Sequence, residues 1–171
     1  MRLLLLGCTG FIGKQLVPTL LNAGHELILT SRRPVNRLNK EFVGANISNL
    51  QVNLIDGNNW VEGELWNSIS QAEGIINFVG EPIAEKRWSE EHCKKIRNSR
   101  LETTQNLITA MNKVRRPQKI LINGSAIGYY GTDPKIEFNE QSSSGEDFLA
   151  QLCTEWEKIA AQKPNRTRLV I

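Results

Sequence analysis

The chain has 171 residues, 40% of them hydrophobic and 23% charged, with a net charge of +3. That length supports one domain with a proper core, and the ordinary composition excludes a disordered, fibrous or multi-span membrane chain. Scattered basic residues argue against a nucleic-acid surface. Cys8, Cys93 and Cys153 lie too far apart for a disulfide framework or a zinc site, so a reducing, cytoplasmic setting without metal is expected.

The first predicted element is a strand over residues 2–6, a short apolar run closed at once by glycine, too short for a signal or a span. Helical spacing of Ile12, Leu16, Val17, Leu20 and Leu21 follows, stopped by Asn22, Ala23 and Gly24. A buried strand is predicted over 25–31, a short helix somewhere in the polar stretch 33–49, and a third strand over 50–56 from the alternation of Leu50, Val52 and Leu54. Leu65 and Ile69 mark a short helix before a fourth strand at 74–80. The longest helix is predicted over 88–114, with Ser89 as N-cap and Glu90 and Glu91 at its positive end. A fifth strand over 118–125 precedes a helix within 145–163, where Ser144 and Asp147 resemble a capping pair. "TRLVI" at 167–171 is a sixth strand, so the chain is expected to stop short of its natural end. Strands alternating with helices predict an α/β, Rossmann-type doubly wound parallel sheet with helices on both faces.

Gly7, Gly10 and Gly13 stand between the first strand and the first helix. In that setting the first glycine permits a tight exit, the second lets backbone approach a pyrophosphate, and the third lets the helix pack on the sheet. The helix start then offers free N–H groups to the anion. At the end of the second strand, Thr30, Ser31, Arg32 and Arg33 replace the acidic residue that would bind a ribose diol. Hydroxyls plus guanidinium suit a 2′-phosphate, so Ser31 and Arg32 favour NADP over NAD. Asp56 is a candidate acceptor for the adenine amino group, with a turn role as the alternative.

"GCTGFIG", "NFVGEPIAEKRW", "RNSRLETTQNLI", "GSAIGYYG" and "GEDFLAQLCTEWE" resemble the atypical extended short-chain dehydrogenase/reductases. The nearest branch is the one labelled epimerase family protein, NAD-dependent epimerase/dehydratase-like, or in bacteria SulA-type cell-division inhibitor. The resemblance implies an NAD(P)-binding domain over 1–171, with a C-terminal substrate-binding part missing. It places Gly7, Thr9, Gly10, Phe11, Ile12 and Gly13 in the pyrophosphate loop and Ser31 and Arg32 in the 2′-phosphate seat. It sets Phe78, Val79 and Gly80 along ribose and nicotinamide, and Ser125 at the fifth-strand end facing the nicotinamide.

Enzymes of that superfamily use a Ser/Thr and a Tyr-x-x-x-Lys pair on one helical face. The chain has no such pair: Phe148 with Leu152, or Leu149 with Cys153, occupy its place. The superfamily's hydroxyl position falls at Ala126, one residue past Ser125. The candidate catalytic set is therefore Ser125, Tyr129 and Tyr130, with loop packing as the tyrosines' alternative. His92 is expected to be solvated, Lys94, Lys95, Arg97 and Arg100 to form a wet helix face, and Glu81 with Arg87 and Trp88 either a ligand clamp or a loop pair. Two functions follow. One is an NADP-dependent oxidoreductase or epimerase acting on a small carbonyl or sugar-like substrate. The other is a non-catalytic NADP-binding regulatory module linked to cell division. The expected partners are a small molecule and a second copy of the chain, with neither nucleic acid nor membrane.

Overall fold

The computed structural model describes residues 1–171. Its first strand, β1 (Arg2–Leu6), explains the four leucines. Successive side chains of a strand point to opposite faces. Leu4 and Leu6 accordingly join Ile75, Leu107 and Leu121 in one core, while Leu3 and Leu5 join Val17, Leu27 and Leu29 in another. A strand buried on both faces needs no alternation, and each fully buried leucine contributes about 1.5–3 kcal/mol.

Helix α1 (Phe11–Asn22) follows, then β2 (Glu26–Ser31), α2 (Val35–Glu41), β3 (Ile47–Gln51), α3 (Gly63–Gln71) and β4 (Gly74–Asn77). The chain continues through α4 (Glu90–Lys113), β5 (Ile120–Asn123), α5 (Phe148–Ala160) and β6 (Arg168–Val170). All pairings are parallel, in the order β3-β2-β1-β4-β5-β6. A third core joins Ile96 and Leu101 of α4 to Leu152 and Trp156 of α5.

The helix stop after Asn22 forms as expected. Gly24 takes φ +78, its N–H donates to Leu21 O, and His25 N–H donates to Leu20 O. Strands five and six are shorter than expected, at Ile120–Asn123 and Arg168–Val170, and three further departures have a local cause. The third strand starts at Ile47 and ends at Gln51 rather than running over 50–56. Asn53 Oδ1 accepts from Ile55 N–H and Asp56 Oδ1 from Asn58 N–H, and such side-chain turns compete with a ladder. The fourth strand stops at Asn77, whose own Oδ1 takes Val79 N–H. The expected Ser144–Asp147 box is absent. Asp147 is itself the N-cap of α5, accepting from Ala150 N–H at 2.9 Å, because Gly145 N–H is held by Tyr129 O and keeps the preceding residues in a loop.

Candidate functional site

The strand order reverses at β1, whose neighbours are β2 and β4, so a crevice opens at the carboxyl ends of β1 and β4. The three glycines lie there, and their surroundings differ. Gly7 has φ +73, and a Cβ on it would sit 2.5 Å from Phe78 O, so the turn is pressed against the exit of β4. A Cβ on Gly13 would sit 1.8 Å from Cys8 O, so α1 touches the loop backbone there. A Cβ on Gly10 would meet nothing within 4 Å. Gly10 is the N-cap of α1, in an extended conformation open to any residue, and no side chain caps the helix. The cradle is sealed by protein at its first and third glycines and open at the second. Uncapped amides and open space beside Gly10 fit a diphosphate. Phe11 and Ile12, the next two residues, are exposed.

At the β2 exit, Arg33 rather than Arg32 reaches the glycine loop. Its NH2 donates to Thr9 O at 3.2 Å, its main-chain N–H donates to Ser31 Oγ at 3.1 Å, and its NH1 meets Glu41 Oε2 at 2.6 Å. Arg32 is exposed and makes no hydrogen bond or ion pair within the chain. Two adjacent arginines cannot be ranked by composition; α2 decides between them, because it starts directly after Pro34 and sets Glu41 beside Arg33. Asp56 acts as the cap of the 3₁₀ turn Gly57–Trp60, the turn role named as its alternative.

Phe78 and Val79 are half-buried and Gly80 is exposed. Beneath them lies a network that sequence reasoning missed. Asn77 and Asn123 stand opposite each other across β4 and β5, and Asn77 Nδ2 donates to Asn123 Oδ1 at 2.7 Å and to Thr104 Oγ1 at 2.9 Å. Trp156 Nε1 donates to the same hydroxyl at 2.8 Å. Both asparagines and Thr104 are buried, so the network ties α4 and α5 to the two strand ends. Its signal was present as asparagine ending two otherwise apolar strands.

The wet-face expectation for α4 holds for Lys94 and Lys95, which pair with Glu90 and Glu91. Arg97 bridges to Glu155 of α5. Arg100 departs from it: half-buried, it lies against Gly80, donates to Glu81 O and Ile96 O, and stands 5.5 Å over the Trp156 ring. Burial lowers its pKa from the usual value of 12.5. His92 also departs, at 5% exposure with neither ring nitrogen hydrogen-bonded. The clamp of Glu81, Arg87 and Trp88 does not form: Glu81 approaches Lys86 at 3.9 Å, and Trp88 Nε1 donates to Ile83 O.

Ser125 faces α5. Its Oγ donates to Glu157 Oε1 at 2.5 Å, beside Cys153, whose thiol is pushed up mainly by burial. The one-residue offset from Ala126 thus takes its hydroxyl proton to α5. Tyr129 and Tyr130 lie half-buried in the 3₁₀ turn Ile127–Tyr130, edge to face with centroids 5.2 Å apart. Tyr130 also stacks on Phe138, and neither phenol is hydrogen-bonded within the chain. Phe148 packs edge-on against Trp88, and Leu149 lies on Gly128. A cavity of about 480 Å³ lined by residues including Met1, Arg2, Glu26 and Glu73 lies instead at the amino ends of the strands. Its charges are already paired, Arg2 with Glu26 and Glu73 with Lys119, so it offers no unmet demand.

Strand order, glycine turn and open helix start together define a Rossmann-type fold of the dinucleotide-binding class. The model of the NAD dependent epimerase/dehydratase family matches residues 3–160, and the chain belongs to that family. It is 32% identical over 172 residues to the chloroplastic epimerase family protein SDR39U1 homolog of Arabidopsis thaliana, covering 96% of this chain and 46% of that one. It is likewise 32% identical over 175 residues to human epimerase family protein SDR39U1, covering 100% of this chain and 53% of the human one. The chain therefore spans about half the length of these relatives. The crystal structure of human SDR39U1 (isoform 2) with NADPH superposes with a TM-score of 0.74 at 30% identity, over 99% of this chain and 52% of that one. UDP-glucuronic acid 4-epimerase from Bacillus cereus, in complex with UDP-glucuronic acid and NAD, gives 0.76 at 14% identity over 99% and 55%, a likeness of fold. No helix is long and apolar enough to cross a membrane.

Proposed function

We propose that the chain binds NADP(H), with the diphosphate on the main-chain amides that open α1 and the 2′-phosphate held by Ser31, Arg32 and Arg33. The observation that carries this reading is the empty space at Gly10 between two glycines that protein atoms seal. The NADPH in human SDR39U1 supports it, as does a β2 exit carrying arginines and no carboxylate. When bound, the nicotinamide supplies hydride transfer. Phe78, Val79 and Gly80 would line the edge along its ribose, and the Asn77–Asn123–Thr104–Trp156 network ties that edge to α4 and α5.

For turnover, the reading is an oxidoreductase or epimerase acting on a small carbonyl or sugar-like substrate. Tyr129 and Tyr130 are the proton-donor candidates because their hydroxyls are free, whereas Ser125 is engaged by Glu157. Arg100 supplies a half-buried cation beside Gly80. A second reading, a module that binds NADP without turnover, draws on one observation: apolar Phe148, Leu149 and Leu152 and the buried Cys153 stand where the superfamily carries its acid and ammonium. The division link implied by resemblance has no support in the family match or the relatives' names, and forms no part of either reading. NADPH oxidation across a panel of carbonyls tests the oxidoreductase, and stereochemical inversion of sugar-like substrates tests the epimerase, whose hydride returns without net oxidation of the cofactor. Turnover in either assay that is lost in Tyr129→Phe or Tyr130→Phe favours the enzyme; tight NADPH binding with neither oxidation nor inversion favours the module.

A further inference from the structure

Glu41 is the last residue of α2, yet its carboxylate lies within the cationic group that borders the glycine loop. Oε2 meets Arg33 NH1 at 2.6 Å and Oε1 stands 3.7 Å from Lys14 Nζ. The same Arg33 is fixed to the loop by its bond to Thr9 O and to the β2 exit through Ser31 Oγ. Glu41 therefore links α1, α2 and the β2 exit, and its side chain keeps 30% of its exposure. A carboxylate in that position does two things. It pairs with two cations beside the seat, Arg33 and Lys14, and offsets one unit of their charge, while Arg32 has no partner. It also repels any second anion brought to the same guanidinium, and a like charge set against one ligand is a way of tuning specificity.

We infer that Glu41 is a built-in competitor for the 2′-phosphate: it holds Arg33 and Lys14 until a phosphate displaces it, and so sets how strongly the seat prefers NADP(H) to NAD(H). The inference rests on the cofactor reading above. The ligand concerned is a ribose 2′-phosphate, whose charge must take over contacts that Glu41 makes in its absence. NADH lacks that group and leaves the Arg33–Glu41 pair intact. Glu41 therefore touches the affinity for one nucleotide and not the other.

The sign of the effect separates this role from simple positioning of Arg33. Glu41→Gln keeps the shape, removes the charge and frees both cations. Titration calorimetry of the full chain with NADPH and with NADH, in low salt, is expected to show NADPH binding tightened about fivefold, the scale of one exposed ion pair, and NADH unchanged within about twofold. Adenosine 2′,5′-bisphosphate against adenosine 5′-monophosphate should repeat the contrast without the nicotinamide half. The gain should shrink as salt approaches about 0.5 M, because exposed charges are screened. Weaker NADPH binding in Glu41→Gln would make Glu41 a positioning residue and overturn the inference, as would an unchanged ratio or equal gains for both nucleotides. Should the unaltered chain bind neither nucleotide, the cofactor reading fails first and this inference with it. Glu41→Gln placed in an Arg33→Ala, Lys14→Ala background is the internal control, since the gain must vanish when both competed cations are gone.

Discussion

Adding carbon at Gly10 and at Gly13 should have opposite consequences, although the two residues lie three positions apart in one motif. At Gly10 the backbone is extended and a Cβ meets no protein atom within 4 Å, so Gly10→Val should fold. Replacing glycine at an N-cap by an aliphatic residue costs about 0.5 kcal/mol, or roughly 1–2 °C of Tm in a chain of this size. Binding is another matter, because the new side chain occupies the space proposed for the diphosphate and masks the amides beneath it. Each hydrogen bond to a charged group is worth about 1.5–3 kcal/mol, so losing one or two weakens NADPH binding about 10- to 1,000-fold or more. At Gly13 the same added carbon would lie 1.8 Å from Cys8 O, and the loop must open by roughly 1 Å to admit even alanine. Overpacking of that kind costs about 3 kcal/mol and lowers Tm by about 6–12 °C. Differential scanning fluorimetry with and without NADPH reads both variants. Full NADPH stabilisation of Gly10→Val, or a Gly13→Ala as stable as the parent, would refute the assignment of open and sealed glycines.

Four further outcomes are expected. Arg32→Ala and Arg33→Ala should each weaken NADPH more than NADH by about 1–3 kcal/mol in calorimetry, and equal losses would remove the phosphate seat. Thr104→Val leaves Asn77 Nδ2 and Trp156 Nε1 without their shared acceptor and should cost about 2–4 kcal/mol in urea unfolding; a neutral result would mean that the network is not a structural tie. His92→Leu removes two buried, unpartnered nitrogens and should raise stability by about 1 kcal/mol, whereas a clear loss would show that the ring has a partner in solution. Burial pushes the Cys8 thiol up from 9.0 to about 12. Above pH 9 the unfolded thiol loses its proton while the folded one keeps it. Stability should therefore fall with rising pH between 9 and about 12, and less so in Cys8→Ala; parallel pH profiles would contradict the shift.

The architecture was legible because β1, β2, β4 and β5 are built on apolar runs closed by glycine or a polar turn, and because Leu16, Val17, Leu20 and Leu21 hold a helical period. Boundaries were less so. Leu54 continued an alternation that Asn53 and Asp56 in fact break, since their side chains satisfy backbone amides that a ladder would need. The glycine loop could be located from spacing, but not which glycine faces open space, since that depends on the β4 exit and on the Cys8 carbonyl. Arg32 and Arg33 look alike in sequence and differ only through Glu41 and Thr9. Arg100 stood among charged neighbours on α4, and its burial comes from the loop after β4 and from Trp156 of α5, contacts that the period of a single helix does not encode.

The most direct measurement is a titration of the isotopically labelled chain with NADPH, followed by the backbone amide resonances. If the amides opening α1 hold the diphosphate, the signals of Thr9, Gly10, Phe11, Ile12 and Gly13 move first and furthest, with Ser31, Arg32 and Arg33 following. Shifts concentrated around Gly24, Asn46 and Glu73 at the opposite edge of the sheet, or no shifts at all, would contradict it.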